Sequence, residues 1–155
     1  MNEPVAADQW IYSALKADSA LTALIGGASS PRIYNELAPQ GNGTTTAPVY
    51  PYVIYQMQSA IDVMWVGPRR VWSNMLYLVK GIQETSSYGG SLLTIVERID
   101  EVLHAKPDPG GPAATNAYGV IWACVGEQPF RLPEVVNGRN FRHFGRIYRI
   151  YASMG

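Results

Sequence analysis

The chain holds one cysteine and two histidines in 155 residues, and these few residues exclude a good deal. Cys124 alone forms no intrachain disulfide, and its neighbours Ile121, Trp122, Ala123 and Val125 mark it as a buried, inert thiol in an apolar strand. His104 and His143 are far apart and belong to no H-E-x-x-H or Cys-His spacing, so no zinc site is expected. There is no G-x-S-x-G elbow, and Gly81, Gly89 and Gly90 fit neither a phosphate loop nor a dinucleotide fingerprint. Net charge is absent too: twelve basic side chains balance twelve acidic ones, leaving no long-range field toward nucleic acid or an anionic membrane. No apolar run reaches the ~20 residues of a membrane span, and the first residues lack the basic start and apolar core of a signal peptide. The reading is a protein that stays soluble in a cytoplasm, without membrane, metal or cofactor.

Charge of either sign is also scarce, at 15% of residues where about 25% is usual, whereas 47% are hydrophobic. So apolar a surface is expected to be covered in an oligomer. The length suits one domain over 1–155, with about 70% of the unfolded chain's surface buried on folding.

Periodicity supplies the elements. Asp8 is positioned to cap a first helix to about Leu24, ended by Gly26 and Gly27. Arg32–Tyr34 reads as a short strand, and Ala38–Pro51 as a mobile loop. Tyr52–Gln58 and the dense run from Val71 to Ile82 read as strands. A Ser86-Ser87-Tyr88-Gly89-Gly90 break then leads into a helix with Leu92, Ile95, Val96, Ile99 and Leu103 on one side. Ser86, Ser87 and Ser91 are all candidate caps. Arg98 is placed to pair with Glu101, and His104 to meet Asp100 one turn back. Lys106–Tyr118 is a proline-rich loop, Gly119–Gln128 a strand, Pro129–Gly138 a turn, and Asn140–Ala152 a final basic strand. The expected fold is α+β: a mostly antiparallel sheet of four or five strands packed on two helices.

Two regions stand out as candidate interfaces. Between the second and third strands, Ile61, Val63, Met64, Trp65 and Val66 surround a Gly67-Pro68 turn followed by Arg69 and Arg70. Apolar side chains around a turn need cover, supplied either by the body of the protein or by a neighbour that the hairpin grips as an arm. In the last strand, Arg139, Arg142, Arg146 and Arg149 lie among aromatics, which suits single-stranded nucleic acid. However, Arg142 and Arg146 share one face and Arg139 and Arg149 the other, so no single basic groove forms. Ion pairs from Arg142 and Arg146 to a neighbouring subunit, for instance to its second helix, are the preferred reading. No paired carboxylates are placed for acid–base work, and an enzyme or ligand site on Cys124 or His143 is the rival class.

The order of these elements resembles the tail terminator, or tail completion, family of long-tailed bacteriophages. The resemblance rests on Ala20-Leu21-Thr22-Ala23-Leu24-Ile25-Gly26 followed by Arg32-Ile33-Tyr34, on Pro51-Tyr52-Val53-Ile54-Tyr55, on the passage from Gly81 to Leu103, and on Arg146-Ile147-Tyr148-Arg149-Ile150-Tyr151. The segment around Trp65 and the loop from Lys106 are longer than a minimal member needs. What the resemblance implies is a non-enzymatic virion protein, assembled in a host cytoplasm as a six-membered ring. Such a ring caps the tail tube and ends its polymerisation at the head-proximal end. Its partners would be other copies of itself, the tail tube protein and the head-completion or stopper protein, with DNA only as cargo in the lumen. Another neck connector, a stopper or adaptor, is the alternative.

Overall fold

The computed structural model describes residues 2–39, 48–65, 67 and 70–155. The elements are α1 (Glu3–Ala17), α2 (Ser19–Leu24), β1 (Ile33–Asn35), β2 (Tyr52–Met64), β3 (Arg70–Glu84), α3 (Ser91–Leu103), β4 (Ala114–Asn116), β5 (Gly119–Val136) and β6 (Arg139–Ser153). They form one six-stranded sheet in the order β1-β2-β3-β6-β5-β4, antiparallel except for the parallel pair β1–β2. The α+β class is as expected, but the sheet has six strands rather than four or five, and three helices stand where two were predicted. The short strand expected at Arg32–Tyr34 is β1, and the unforeseen one is β4, three residues inside the proline-rich loop and too short to show periodicity.

The first helix starts earlier than Asp8, at Glu3, where Pro4 supplies a φ suited to a first turn. Asp8 lies inside it and accepts bonds from the Tyr77 hydroxyl (2.8 Å) and from Asn35 (3.1 Å). The cap is instead Asp18, which takes an extended conformation, accepts from the Leu21 amide at 2.8 Å and so splits the predicted helix into α1 and α2. None of the candidate serines caps α3. Gly90 occupies that position, and Ser91 bonds Gln83 at 2.9 Å.

All three helices cover one face of the sheet. Ile11 and Leu15 of α1, Leu21 of α2, and Leu92, Ile95, Ile99 and Leu103 of α3 are fully buried with Met75, Tyr77, Val79, Tyr148 and Ile150. Each such side chain stabilises the fold by roughly 1.5–3 kcal/mol. Gly81 lets α3 approach closely, since a Cβ there would lie 3.1 Å from Ile95 and 3.2 Å from Leu92. On the far face a second, smaller cluster of Ala38, Tyr52, Ile54 and Ile82 forms, with Tyr34 and Tyr50 against it. The predicted loop from Ala38 to Pro51 falls partly on 40–47, outside the described residues.

β5 corrects another expectation: it does not stop at Gln128 but runs to Val136, pairing with β6 throughout. Pro129 opposes Arg146 and Pro133 opposes Arg142. A proline has no N–H to give the ladder, so both nitrogens belong on the outer side of β5, away from β6. There the edge is free of any strand beyond a single bridge at Lys106–Cys124 among the described residues. The turn is Asn137–Gly138, both with positive φ (51° and 76°), the geometry that an Asn-Gly hairpin favours.

Candidate assembly surfaces

The β2–β3 hairpin leaves the body beyond the pair Ser73–Ala152. The first four residues of β2 are buried, and nearly everything from Met57 outward is exposed because no layer covers it. Met57, Ile61, Met64 and Trp65 all project into solvent, with Trp65 69% exposed. The hairpin extends past the end of β6 with these side chains uncovered. Charge ties its outer end to the start of α1: Arg70, opposite Met64, bonds the buried Glu3 at 2.8 Å and Asp62 at 3.3 Å, and Asp62 accepts from Ser73 at 2.6 Å. Those bonds hold the Asp62 carboxyl below its usual range, the Ser73 bond contributing most. Val66 and Arg69, also proposed as interface residues, lie outside the described residues.

The arginines of β6 divide between the two faces as their parity requires. On the helix side, Arg146 holds both oxygens of Asp100 at 2.9 Å, and Asp100 also accepts from the buried Tyr148 hydroxyl at 2.9 Å. The acidic partner on the second predicted helix is thus found within the same chain. Arg142 bonds the carbonyl of Phe141 (3.1 Å) and lies over the Tyr88 ring (5.7 Å). On the other face Arg139 clasps Glu84 (2.9 Å), and Arg149 reaches Asn74 (2.9 Å) and Glu127. The structure brings Arg142 and Arg146 together but sets both far from Met64, Trp65 and Arg70. Arg98 pairs with Glu101 as expected, and with Asp18 as well. His104 does not meet Asp100. Its Nδ1 accepts from the Gly126 amide at 3.0 Å.

Three concavities escaped sequence reasoning. The first, about 550 Å³, lies at the foot of the arm and is lined by Val71, Trp72, Trp122, Ala123 and Tyr151. Trp122 sits at the bulge between Ile121 and Ala123 and donates to Ser153 at 2.8 Å. Only the register across β3, β6 and β5 gathers these residues, so no local sequence signal marks them. The second, about 540 Å³, runs between α3 and the β5–β6 hairpin, over Leu93, Val96, Pro129 and Phe144, with carboxylates at its rim. The third, about 530 Å³, holds Tyr52, Glu134, Arg139 and His143. There His143 bonds Glu134 at 2.6 Å while its Nδ1 has no partner among the described residues. Burial pushes the His143 pKa down, the Glu134 bond opposes that shift, and the Lys80 cation adds to it.

Burial, with Asp100 nearby, pushes the Cys124 thiol far up, away from the thiolate form. Burial likewise raises Tyr55 to about 12 and the Tyr77 and Tyr148 hydroxyls further. Among the described residues no group of three His, Cys, Asp or Glu side chains is placed to hold a metal ion. No helix there is long and apolar enough to cross a membrane.

No protein-family model matches this chain, and no curated protein matches it in sequence. Its fold matches a chain in the solved structure titled "Virion of native gene transfer agent (GTA) particle". The TM-score is 0.70 at 14% identity, over 98% of this chain and 97% of that one. The two chains share their fold from end to end.

Proposed function

We propose that this chain is a non-enzymatic structural protein of a phage-like virion, and that its place is the terminator ring at the head-proximal end of a tail. The observation that carries the first part is the end-to-end fold likeness to a chain of a gene transfer agent virion. The order of elements, which resembles that of tail terminators, supports the second. In this reading the ring is six-membered, ends tube polymerisation, and offers its other face to a head-completion protein. DNA passes through the lumen without being held. The arginines of β6 fit that demand, since they are divided between two faces and mostly occupied by carboxylates of their own chain.

The arm supports assembly directly. Its exposed Met64 and Trp65 stand at the outer end of a hairpin that the Arg70–Glu3 bond holds against α1, so they are presented in a fixed position. Arg142, with no carboxylate partner in its own chain among the described residues, remains a candidate contact for a neighbour. Arg146 contributes through the surface it shapes with Asp100.

Negative-stain images of particles made without this protein test the proposal. Tails of uncontrolled length are the expected result. Normal but detached tails indicate a stopper or adaptor instead, and empty heads with no abnormal tubes defeat both.

A further inference from the structure

We propose that copies of this chain join edge to edge through charge, Asp8 and Glu36 of one copy meeting Arg131 and Arg142 of the next. This rests on the assembly reading above and names the two surfaces that meet. Arg70, Arg98, Arg139, Arg146 and Arg149 each hold a carboxylate of their own chain. Among the described residues Arg131 and Arg142 hold none. Both lie instead over the Tyr88 ring, at 4.9 Å and 5.7 Å, and Arg131 also lies over Phe144 at 4.6 Å. Arg142 donates only to the carbonyls of Phe141 and Ser86, and Arg131 makes no hydrogen bond to the described residues. The rings hold the two guanidinium groups in place and leave donors free. Such a pair suits carboxylates, which accept two parallel N–H bonds from a guanidinium. Arg131 opposes Phe144 on the helix side of the sheet, and Val135 shares that face of β5 while 66% exposed. An exposed apolar side chain beside the cations favours a protein surface over nucleic acid.

The matching carboxylates stand at the opposite edge of the sheet. Asp8 accepts only from neutral groups, the Tyr77 hydroxyl at 2.8 Å and the Asn35 amide at 3.1 Å. Glu36, directly after β1, is exposed and its side chain has no partner among the described residues. The two charges lie close enough to act together: burial raises the Tyr77 pKa, and Asp8 and Glu36 both add to it. Leu37, 77% exposed, adjoins them as Val135 adjoins the arginines. Glu97 is the other described carboxylate without a partner, and it stands singly on α3. β1 is one outermost strand, and at Arg131 β5 is the other, because β4 reaches only to Ile121. Four strand spacings, roughly 19 Å at about 4.8 Å each, separate the two within one chain. The contact therefore needs a second copy, and since the two patches differ it propagates head-to-tail to a ring or a filament rather than closing a two-fold dimer. Pro129 and Pro133 deny the β5 edge two ladder donors, so side chains and not a continued sheet make the contact.

Charge reversal in the full-length chain tests this, read by native mass spectrometry at the highest soluble concentration. Glu36→Lys and Arg131→Glu are both surface changes, and each alone brings like charges together. Each is expected to weaken self-association roughly tenfold at low salt and less at high salt, with a urea midpoint close to the parent's. Mixed one to one, the two variants should recover the parent's assemblies, because every contact in an alternating array then has opposite charges again. Single variants that assemble like the parent, or a mixture that does not recover, overturn the contact while the ring reading stands on the parent's own oligomers. A parent chain that stays monomeric also overturns it. If Arg131→Glu instead removes binding of a fluorescent single-stranded oligonucleotide and leaves self-association unchanged, the arginines serve nucleic acid and the contact falls. Recovery on mixing, in a protein whose absence leaves tails normal, defeats the terminator reading and keeps the contact.

Discussion

The two long hairpins of this sheet are built alike and finished differently. Both are antiparallel and bulged, and each overhangs the sheet at one end. The β5–β6 hairpin closes its own accounts. Pro129 and Pro133 blunt its outer edge, its tight turn is an Asn-Gly pair, and Arg139, His143, Arg146 and Arg149 all find acidic partners within the chain. The β2–β3 arm is finished only by the pairs that Arg70 makes with Glu3 and Asp62. Its outer edge from Gln56 to Met64 has no proline and, among the described residues, no partner strand, and its apolar side chains face water. Sheet proteins normally guard such an edge, because an unpaired strand pairs with whatever arrives. In the proposed assembly, the arm is the part of the molecule that meets a neighbour.

The most damaging way to break that contrast is to attack the seam on which the finished hairpin rests. A Cβ at Gly145 would stand 2.1 Å from the Val79 carbonyl oxygen and 2.5 Å from the Cα of Lys80, both backbone atoms that cannot turn aside. Gly145→Ala is expected to cost about 3 kcal/mol through forced separation of β3 and β6. A shift in the urea midpoint equivalent to less than a third of that would show that the strands move apart easily. Trp65→Ser on the arm, with no core to lose, should stay within about 0.5 kcal/mol in the same titration.

Next in size is the junction between α3 and β6. Asp100→Ala strips two bonds from Arg146 and leaves the fully buried Tyr148 hydroxyl without its acceptor. An unsatisfied buried polar group costs roughly 1–3 kcal/mol, and Asp100 is a third exposed, so about 2 kcal/mol is expected. Asp100→Asn, which retains an acceptor for Tyr148, should recover part of the loss. Equal losses in the two variants would assign the effect to the Arg146 charge alone.

The same comparison shows what was legible in the sequence. Long strands and α3 announced themselves through periodicity, and the arm through apolar residues crowded around Gly67-Pro68. What failed depended on position in the sheet. Pro129 and Pro133 read as a break because a proline within a strand is tolerated only at an edge, and edges are not visible before the strand order is known. The Val136-Asn137-Gly138-Arg139 turn carried the better signal. Face parity correctly separated Arg142 and Arg146 from Arg139 and Arg149. That Asp100 meets Arg146 required α3 to be docked on β6, a tertiary fact. Trp72, Trp122 and Tyr151 come together only through the register of three strands.

The prolines themselves are the most direct test of why one edge is guarded. Changing both Pro129 and Pro133 to Thr restores two outward N–H donors on β5 without touching its bonds to β6. Folding stability is expected to change by no more than about 0.5 kcal/mol, while light scattering from concentrated solutions should rise as copies pair edge to edge. A variant as soluble as the parent would mean that the exposed residues around it, not the prolines, keep this edge apart.

The smallest effect expected sits inside the finished hairpin, at His143. Its pKa in the folded protein lies below the ordinary value near 6.5, because burial disfavours the cation more than the Glu134 bond supports it. An unfolded chain therefore takes up this proton first as the pH falls. Stability from a neutral His143 is fully present above about 6.5 and is lost as the pH drops through the folded value. Carboxylates such as Asp18 and Glu84, held low by their arginine partners, begin to matter only in more acidic solution. Between about pH 7 and pH 5, then, the slope belongs largely to this histidine. His143→Gln should flatten stability across that window in urea titrations. Glu134→Gln should steepen it, because the group that favours the cation is gone while burial and Lys80 remain. If instead Glu134→Gln flattens the curve, the 2.6 Å contact is a true ion pair, and the hairpin is fastened by charge at that point rather than by packing.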